Sequence, residues 1–480
     1  MRAGAILGVL LAFAGSAWAD FQAGLQAWEK ADFRTAFDQF KPDAEAGDAK
    51  AQFYLGEAFS LGRGTLQDYA EALKWYRKSA EQSHPEAMEK LCTAYFFGEN
   101  IVRKDETEAA GMCTGAGKAG KVYPAFLAAY SYEFGKGVVV DQAKAAELYK
   151  IAAEGGNVDA QDALGRMLFF GQGVAVDYAE AAKWNRKAAD AGRPFAQYLL
   201  GYSYDYGRGV QQDYTEAATW YQKAADQGEV RAMSGLGYLT SQGRGVQKDE
   251  AKALELYLKA AEKQETSVYA LLGWAYYQGS GTAKNEAEAA KWFRQAGELN
   301  DAQSQYMLGY LLEQGKNFSE AATWYQKAAE QGVAGAQESL AGLYFSGQGV
   351  QQDYAQAAKW YQKPAQSGGI YAQYILGYIY ESGKHGLTAD PAQAVKWYAL
   401  AAEKGDARSQ LALGYLLSDD KAGQKDLVRA HMWSNLAAAQ LVGEERTAAE
   451  RQREYIASKL SADQLIKAQQ MARDWKPKTT

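Results

Sequence analysis

Between Arg193 and Gly228 the apolar and polar positions predict two helices joined by a glycine loop. Ala196, Leu200, Gly201 and Tyr204 recur at steps of three and four, which places them on one face of a helix with a period near 3.6 residues. Gly207 and Gly209 stop that helix, glycine taking the left-handed backbone of a helix end without a Cβ penalty. Asp213 with Glu216 three residues on has capping-box spacing, so a second helix is expected to start there. Its apolar stripe is Ala217, Trp220, Tyr221 and Ala224, and Gly228 ends the unit.

The same pattern runs along most of the chain. Its leading Leu-Gly pair returns at Leu55/Gly56, Leu164/Gly165, Leu200/Gly201, Leu236/Gly237, Leu272/Gly273, Leu308/Gly309, Leu376/Gly377 and Leu413/Gly414, and Cys92, Ala129 and Ala341 take the glycine column in three degenerate copies. The second-helix column reads Trp75, Met112, Leu148, Trp184, Trp220, Leu256, Trp292, Trp324, Trp360, Trp397 and Trp433. Both columns give eleven copies, spaced by 36 residues apart from steps of 32 and 37. A fixed period of this length predicts a solenoid, because one helix pair cannot bury its apolar face alone.

The consensus LGYxYxxGxGVxxDxxxAxxWYxKAAxxG resembles the Sel1-like repeat family, a relative of the tetratricopeptide repeat, over about residues 49 to 443. The resemblance implies an all-α, right-handed α/α solenoid whose first helices line a concave wall. It also implies a non-catalytic role as an adaptor for envelope or host proteins. The second copy has lost most of the pattern, the eighth lacks four loop residues around Gly315 to Phe318, and Pro364 replaces an alanine in the ninth. Proline removes an amide donor and clashes with the carbonyl four residues back, so a break is expected at Pro364.

Met1 to Ala19 reads as a secretory signal peptide: Arg2, an apolar run from Ala5 to Ala14, then Ala17-Trp18-Ala19 as cleavage site. The exported chain is then expected to start at Asp20 and to reside in a bacterial periplasm, with secretion or surface display as alternatives. No later run of about 18 apolar residues predicts a membrane span. Residues 20–48 read as an N-terminal capping helix pair with Trp28, Phe33, Phe37 and Phe40 as contacts. Residues 444–480 read as C-terminal capping helices and a frayed tail, with a capping box at Ser461 and Gln464.

A hydrophobic content of 48% in 480 residues suits one long linear core. The net charge is −6, or −7 once Arg2 leaves with the signal, which argues against nucleic acid as a partner. The G-x-G loops, such as Gly171-Gln-Gly173 and Gly243-Arg-Gly245, sit between helices rather than in a strand–turn–helix unit, so they read as caps and not phosphate cradles. His84, His385 and His431 lie in different copies, and no metal-ligand or nucleophile–base spacing occurs. The sequence therefore predicts no catalysis, no cofactor and no metal site.

Cys92 and Cys113, the only cysteines, fall in the degenerate second copy at positions that face each other across its helices. Export favours oxidation, and a disulfide is expected there. A second stripe on the first helices supplies the candidate binding residues. Tyr198, Tyr202 and Asp205 lie about 140° from the centre of the apolar arc at about 100° per residue. The triplet returns as Tyr306, Tyr310 and Glu313 and as Tyr374, Tyr378 and Glu381, with Tyr238, Trp274 and Tyr277 as related positions. The expectation is a partly exposed aromatic band edged by acids, which takes a basic protein surface; carbohydrate of the cell envelope is the alternative ligand.

Overall fold

A computed structural model describes residues 21–478, and the signal-peptide segment lies outside them. Among the described residues the regular structure is helical, with no strand. Contacts divide the chain after Lys263. The first unit holds a short helix at 21–29, the helix Phe33–Glu45 and repeats one to six; the second holds repeats seven to eleven and the helices Gly443–Ala457 and Ala462–Asp474. Within each unit successive repeat helices pack on one another, and the last helix, Ala462–Asp474, packs on Leu427–Gln440.

The fifth repeat shows how the pattern becomes structure. Its first helix, Pro194–Tyr206, ends at Gly207 with φ +65°. Its second, Tyr214–Asp226, starts under the Asp213 carboxylate, which accepts from the amides of Thr215 and Glu216 at 2.8 and 3.1 Å. The expected reciprocal half of the capping box does not form there. Glu216 instead accepts from the indole of Trp220 at 3.1 Å, one turn further along. Lys223, three residues beyond Trp220, lies 3.9 Å from that ring's centre, so the tryptophan is held at both ends. The full capping box does form at Ser461 and Gln464.

The two glycines of each loop do different work. Gly207 turns the chain, whereas Gly209, at φ +73°, presses against the preceding repeat: a Cβ there would lie 2.0 Å from the Tyr178 carbonyl oxygen. Gly245 meets Tyr214 in the same way, and Gly349 meets Phe318. The loop is thus a stacking contact, for which a side chain leaves no room. In the eighth repeat the four missing residues all come from this loop. Its helices Ala302–Gln314 and Phe318–Glu330 keep their full length, and Lys316 makes the turn at φ +62°.

A column of glutamines ties the stack together. Gln197 is buried and donates to the Ala189 carbonyl of the preceding second helix at 3.1 Å, while its own oxygen accepts from Gln227 at 2.8 Å. Gln305 repeats the arrangement with Gly297 and Gln331, and Gln410 with Ala402 and Gln440. Each of these helix-end carbonyls already accepts one backbone amide, from Gly192, Asn300 and Gly405 respectively, and the glutamine supplies its second donor from the next repeat.

Cys92 and Cys113 lie at disulfide distance, with Cα atoms 4.7 Å apart and both side chains fully buried. The break expected at Pro364 is absent: the helix runs unbroken from Tyr354 to Gln366 with the proline inside it and buried. Pro364 occupies the last turn, so only its own donor is lost, and its carbonyl still accepts from Gly369 at 3.0 Å.

Candidate binding face

The buried aromatic column of the second helices determines where the acids go. Tyr221 is 1% exposed, and its hydroxyl needs an acceptor. It donates to Asp205 at 3.3 Å. Tyr325 likewise donates to Glu313 at 2.6 Å and Tyr398 to Glu381 at 2.9 Å; Tyr149 donates to Glu133 at 2.7 Å and Tyr76 to Glu57 at 2.5 Å. The expected acidic edge of the aromatic band is corrected at Asp205, whereas Glu313 is half-buried and Glu381 exposed. Asp205 is buried, and Glu313 and Glu381 are each engaged by a tyrosine of the second helix. Burial raises the Asp205 pKa above the ordinary carboxylate value, opposed by the Tyr221 hydrogen bond and by Arg244. Burial first, then the facing carboxylate, pushes the Tyr221 hydroxyl far up as well.

The aromatic residues of the first helices remain at the surface. Tyr238 and Tyr378 are exposed, while Tyr198, Tyr202, Trp274, Tyr277, Tyr306, Tyr310 and Tyr374 are half-buried. In the first unit Tyr198 and Tyr202 pack with Phe169, Leu199 and Tyr178. Tyr202 lies over Tyr206 with ring centres 4.4 Å apart, and Tyr206 is 56% exposed. In the second unit Trp274, Tyr277, Tyr306 and Tyr310 surround one core cluster built on Phe293, Met307 and Leu308. Burial, with Glu313 and Tyr310 next, raises the Tyr306 pKa. Tyr374 and Tyr378 are set apart from these: Tyr374 packs on Tyr398, and Tyr378 on Phe345 and Tyr354.

Some of this face escapes a helical-wheel reading. Tyr178 and Tyr214 open second helices, yet they reach the tyrosines of the first helices through Arg208 and Arg244. The signal was the arginine at the middle position of two G-R-G loops. Among the described residues no group of three or more His, Cys, Asp or Glu side chains is placed to hold a metal ion, and no helix is long and apolar enough to cross a membrane.

The Sel1 repeat family model matches eleven times, at 49–84, 85–113, 125–157, 158–192, 194–229, 230–264, 267–301, 302–333, 334–369, 370–406 and 407–440. The crystal structure of a protective antigen from uropathogenic Escherichia coli, which displays an SLR fold, is 32% identical. It covers 92% of this chain and 94% of its own, with a TM-score of 0.58. A Sel1 repeat protein from Oxalobacter formigenes is 27% identical over 64% of this chain and 90% of its own, with a TM-score of 0.47. Among curated proteins, chitin synthase regulatory factor 3 of Schizosaccharomyces pombe is 32% identical over 27% of this chain, and chitin synthase regulator SKT5 of Saccharomyces cerevisiae 31% over 27%. The match spans only 14% and 18% of those two yeast proteins. Eleven matched repeats, the buried Leu-Gly column, the largely buried tryptophan column and the helical stack of the described residues agree, and the chain belongs to the Sel1 repeat family.

Proposed function

We propose that this protein is an exported, non-catalytic scaffold that holds a protein partner on the aromatic face of its first helices. The observation that carries the reading is the contrast between two tyrosine columns. Those of the second helices, such as Tyr221 and Tyr325, are buried and hydrogen-bonded, whereas those of the first helices pack one side on the core and keep part of each ring at the surface. Tyrosine gives broad contact at low entropic cost, and a central aromatic anchor is worth about 2 kcal/mol or more on truncation. The Sel1 repeat scaffold fits such an adaptor role, and two curated relatives are named as regulators of an enzyme. The signal-like segment at 1–19 supports export, with the periplasm as the site of action, and an oxidising compartment would keep Cys92 and Cys113 joined.

The test is partner capture from envelope extract by wild-type protein and by a variant with Tyr198, Tyr202, Tyr306 and Tyr310 all changed to alanine. Capture is expected to disappear while the helical signal below the melting transition is retained, the transition itself moving down because these rings also pack on the core. Undiminished capture by the quadruple variant refutes the reading, as does a captured species that is polysaccharide alone.

A further inference from the structure

The cations beside the tyrosines of the first unit are stacked rather than paired. The Arg208 guanidinium carbon lies 5.2 Å from the ring centres of both Tyr178 and Tyr202. That of Arg244 lies 5.5 Å from Tyr214 and 5.8 Å from Tyr238. Arg208 and Arg244 therefore each sit between the tyrosine that opens the preceding second helix and a tyrosine of its own first helix. Arg63, in a third G-R-G loop, shares only half of the arrangement: it lies over Phe33, which opens the preceding second helix, at 4.8 Å, but its other ring, Trp28 at 5.5 Å, belongs to the preceding helix at 21–29.

Such a guanidinium is already ordered by its rings, and less rotamer freedom remains to be lost on binding. Its donors stay available in the guanidinium plane, where a carboxylate is received by two parallel hydrogen bonds. Among the described residues Arg208 donates to the Tyr178 hydroxyl at 3.3 Å, and neither Arg208 nor Arg244 has a carboxylate within ion-pair reach. The nearby acid that could have served, Asp205, is buried and engaged with Tyr221. Between the two arginines lie Tyr202, Tyr206 and Tyr238, an apolar platform that a uniformly charged polymer would not use.

We propose that this face takes an acidic polypeptide segment, with Asp or Glu carboxylates on Arg208 and Arg244 and its remaining side chains laid on Tyr202, Tyr206 and Tyr238. The proposal rests on the reading of the aromatic face as a protein-binding surface, and it reverses the basic partner expected from the sequence. It is tested by selecting binders to the full exported chain from a random peptide library displayed on phage. The recovered peptides are expected to carry an excess of Asp and Glu over the library. Their dissociation constants are expected to rise about tenfold or more in Arg208→Gln/Arg244→Gln, and by less in Arg208→Lys/Arg244→Lys, which keeps the charge.

Peptides without acidic excess, or with equal affinity for the glutamine pair, overturn the proposal. If such neutral peptides still lose binding in the quadruple tyrosine variant, the aromatic face survives and only its charge preference falls. If none responds to either set of changes, both readings fall. Binding of alginate with no peptide recovered overturns the polypeptide assignment. Should the glutamine pair fail to fold, Asp→Asn and Glu→Gln changes in a recovered peptide, measured on wild-type protein, decide the same question: unchanged affinity overturns it.

Discussion

Gly201 lies directly under the ring of Tyr221: a Cβ at position 201 would fall 2.7 Å from Tyr221 Cδ1. The Leu-Gly pair is thus the imprint of a tyrosine pressed flat on the neighbouring helix, and Gly309 under Tyr325 and Gly377 under Tyr398 repeat it. Gly201→Val is expected to lower stability by about 2 kcal/mol through overpacking. Gly201→Ala should cost less, since alanine recovers up to about 1 kcal/mol of helix propensity. Urea midpoints measure both, and a valine variant that melts with the wild type contradicts the packing argument.

The glutamine relay should show energetic coupling. Gln197 bridges the Ala189 carbonyl and Gln227, so Gln197→Ala and Gln227→Ala remove overlapping hydrogen bonds. A double-mutant cycle is expected to give a coupling of about 1 kcal/mol, with Gln197→Ala the costlier single change because it breaks both hydrogen bonds whereas Gln227→Ala breaks one. Strict additivity would mean that the two side chains act independently.

Acid should weaken the fold through His431. Burial, with Arg453 beside it, lowers its pKa below the ordinary imidazole value, and its Nδ1 is buried without a hydrogen-bond partner. The unfolded chain therefore binds the proton more readily. Its contribution to stability is complete above about pH 6.5 and is lost as pH falls through that value toward the folded pKa, at about 1.4 kcal/mol for each unit of difference. His84, also lowered by burial, contributes with the same sign. Melting temperatures between pH 7.5 and 5 are expected to fall in the wild type and to fall less in His431→Leu; parallel curves reject the assignment.

A joined Cys92 and Cys113 enclose a loop with a sequence separation of 21 residues. Reduction is expected to destabilise the second repeat by about 3 kcal/mol. Thiol labelling of the unfolded, unreduced exported protein should find no free cysteine, and two labelled thiols exclude the bridge.

How far the sequence could be read differs from residue to residue. Leu200 and Trp220 are recoverable from periodicity because every repeat buries the same faces, and the loop glycines from their fixed distance to the next N-cap. Asp205 is not recoverable this way. A wheel drawn on one helix places it away from the core, but the hydroxyl that captures it belongs to Tyr221 on another helix. Gln197 is hidden for a related reason, since a polar side chain reads as surface unless its recurrence at one column is noticed. Pro364 misleads in the opposite direction: its cost depends on how much helix follows it, and here only Ala365 and Gln366 do. The part of the face that escaped notice, Arg208 and Arg244 with Tyr178 and Tyr214, is assembled from successive repeats, which no single-repeat reading can join.

The second loop glycine bears on how such a chain lengthens. Gly209 meets its predecessor through the Tyr178 carbonyl, a main-chain atom that any residue at that position supplies. A repeat thus recognises its neighbour by backbone shape, without a matched pair of side chains. A gene segment copied in tandem yields a unit that fits at once, and its outward residues are then free to drift toward a new ligand. Trimming within the loop, as in the eighth repeat, removes that generic joint while leaving both helices whole, so a duplicate of that copy would fit less readily at an arbitrary place in the array.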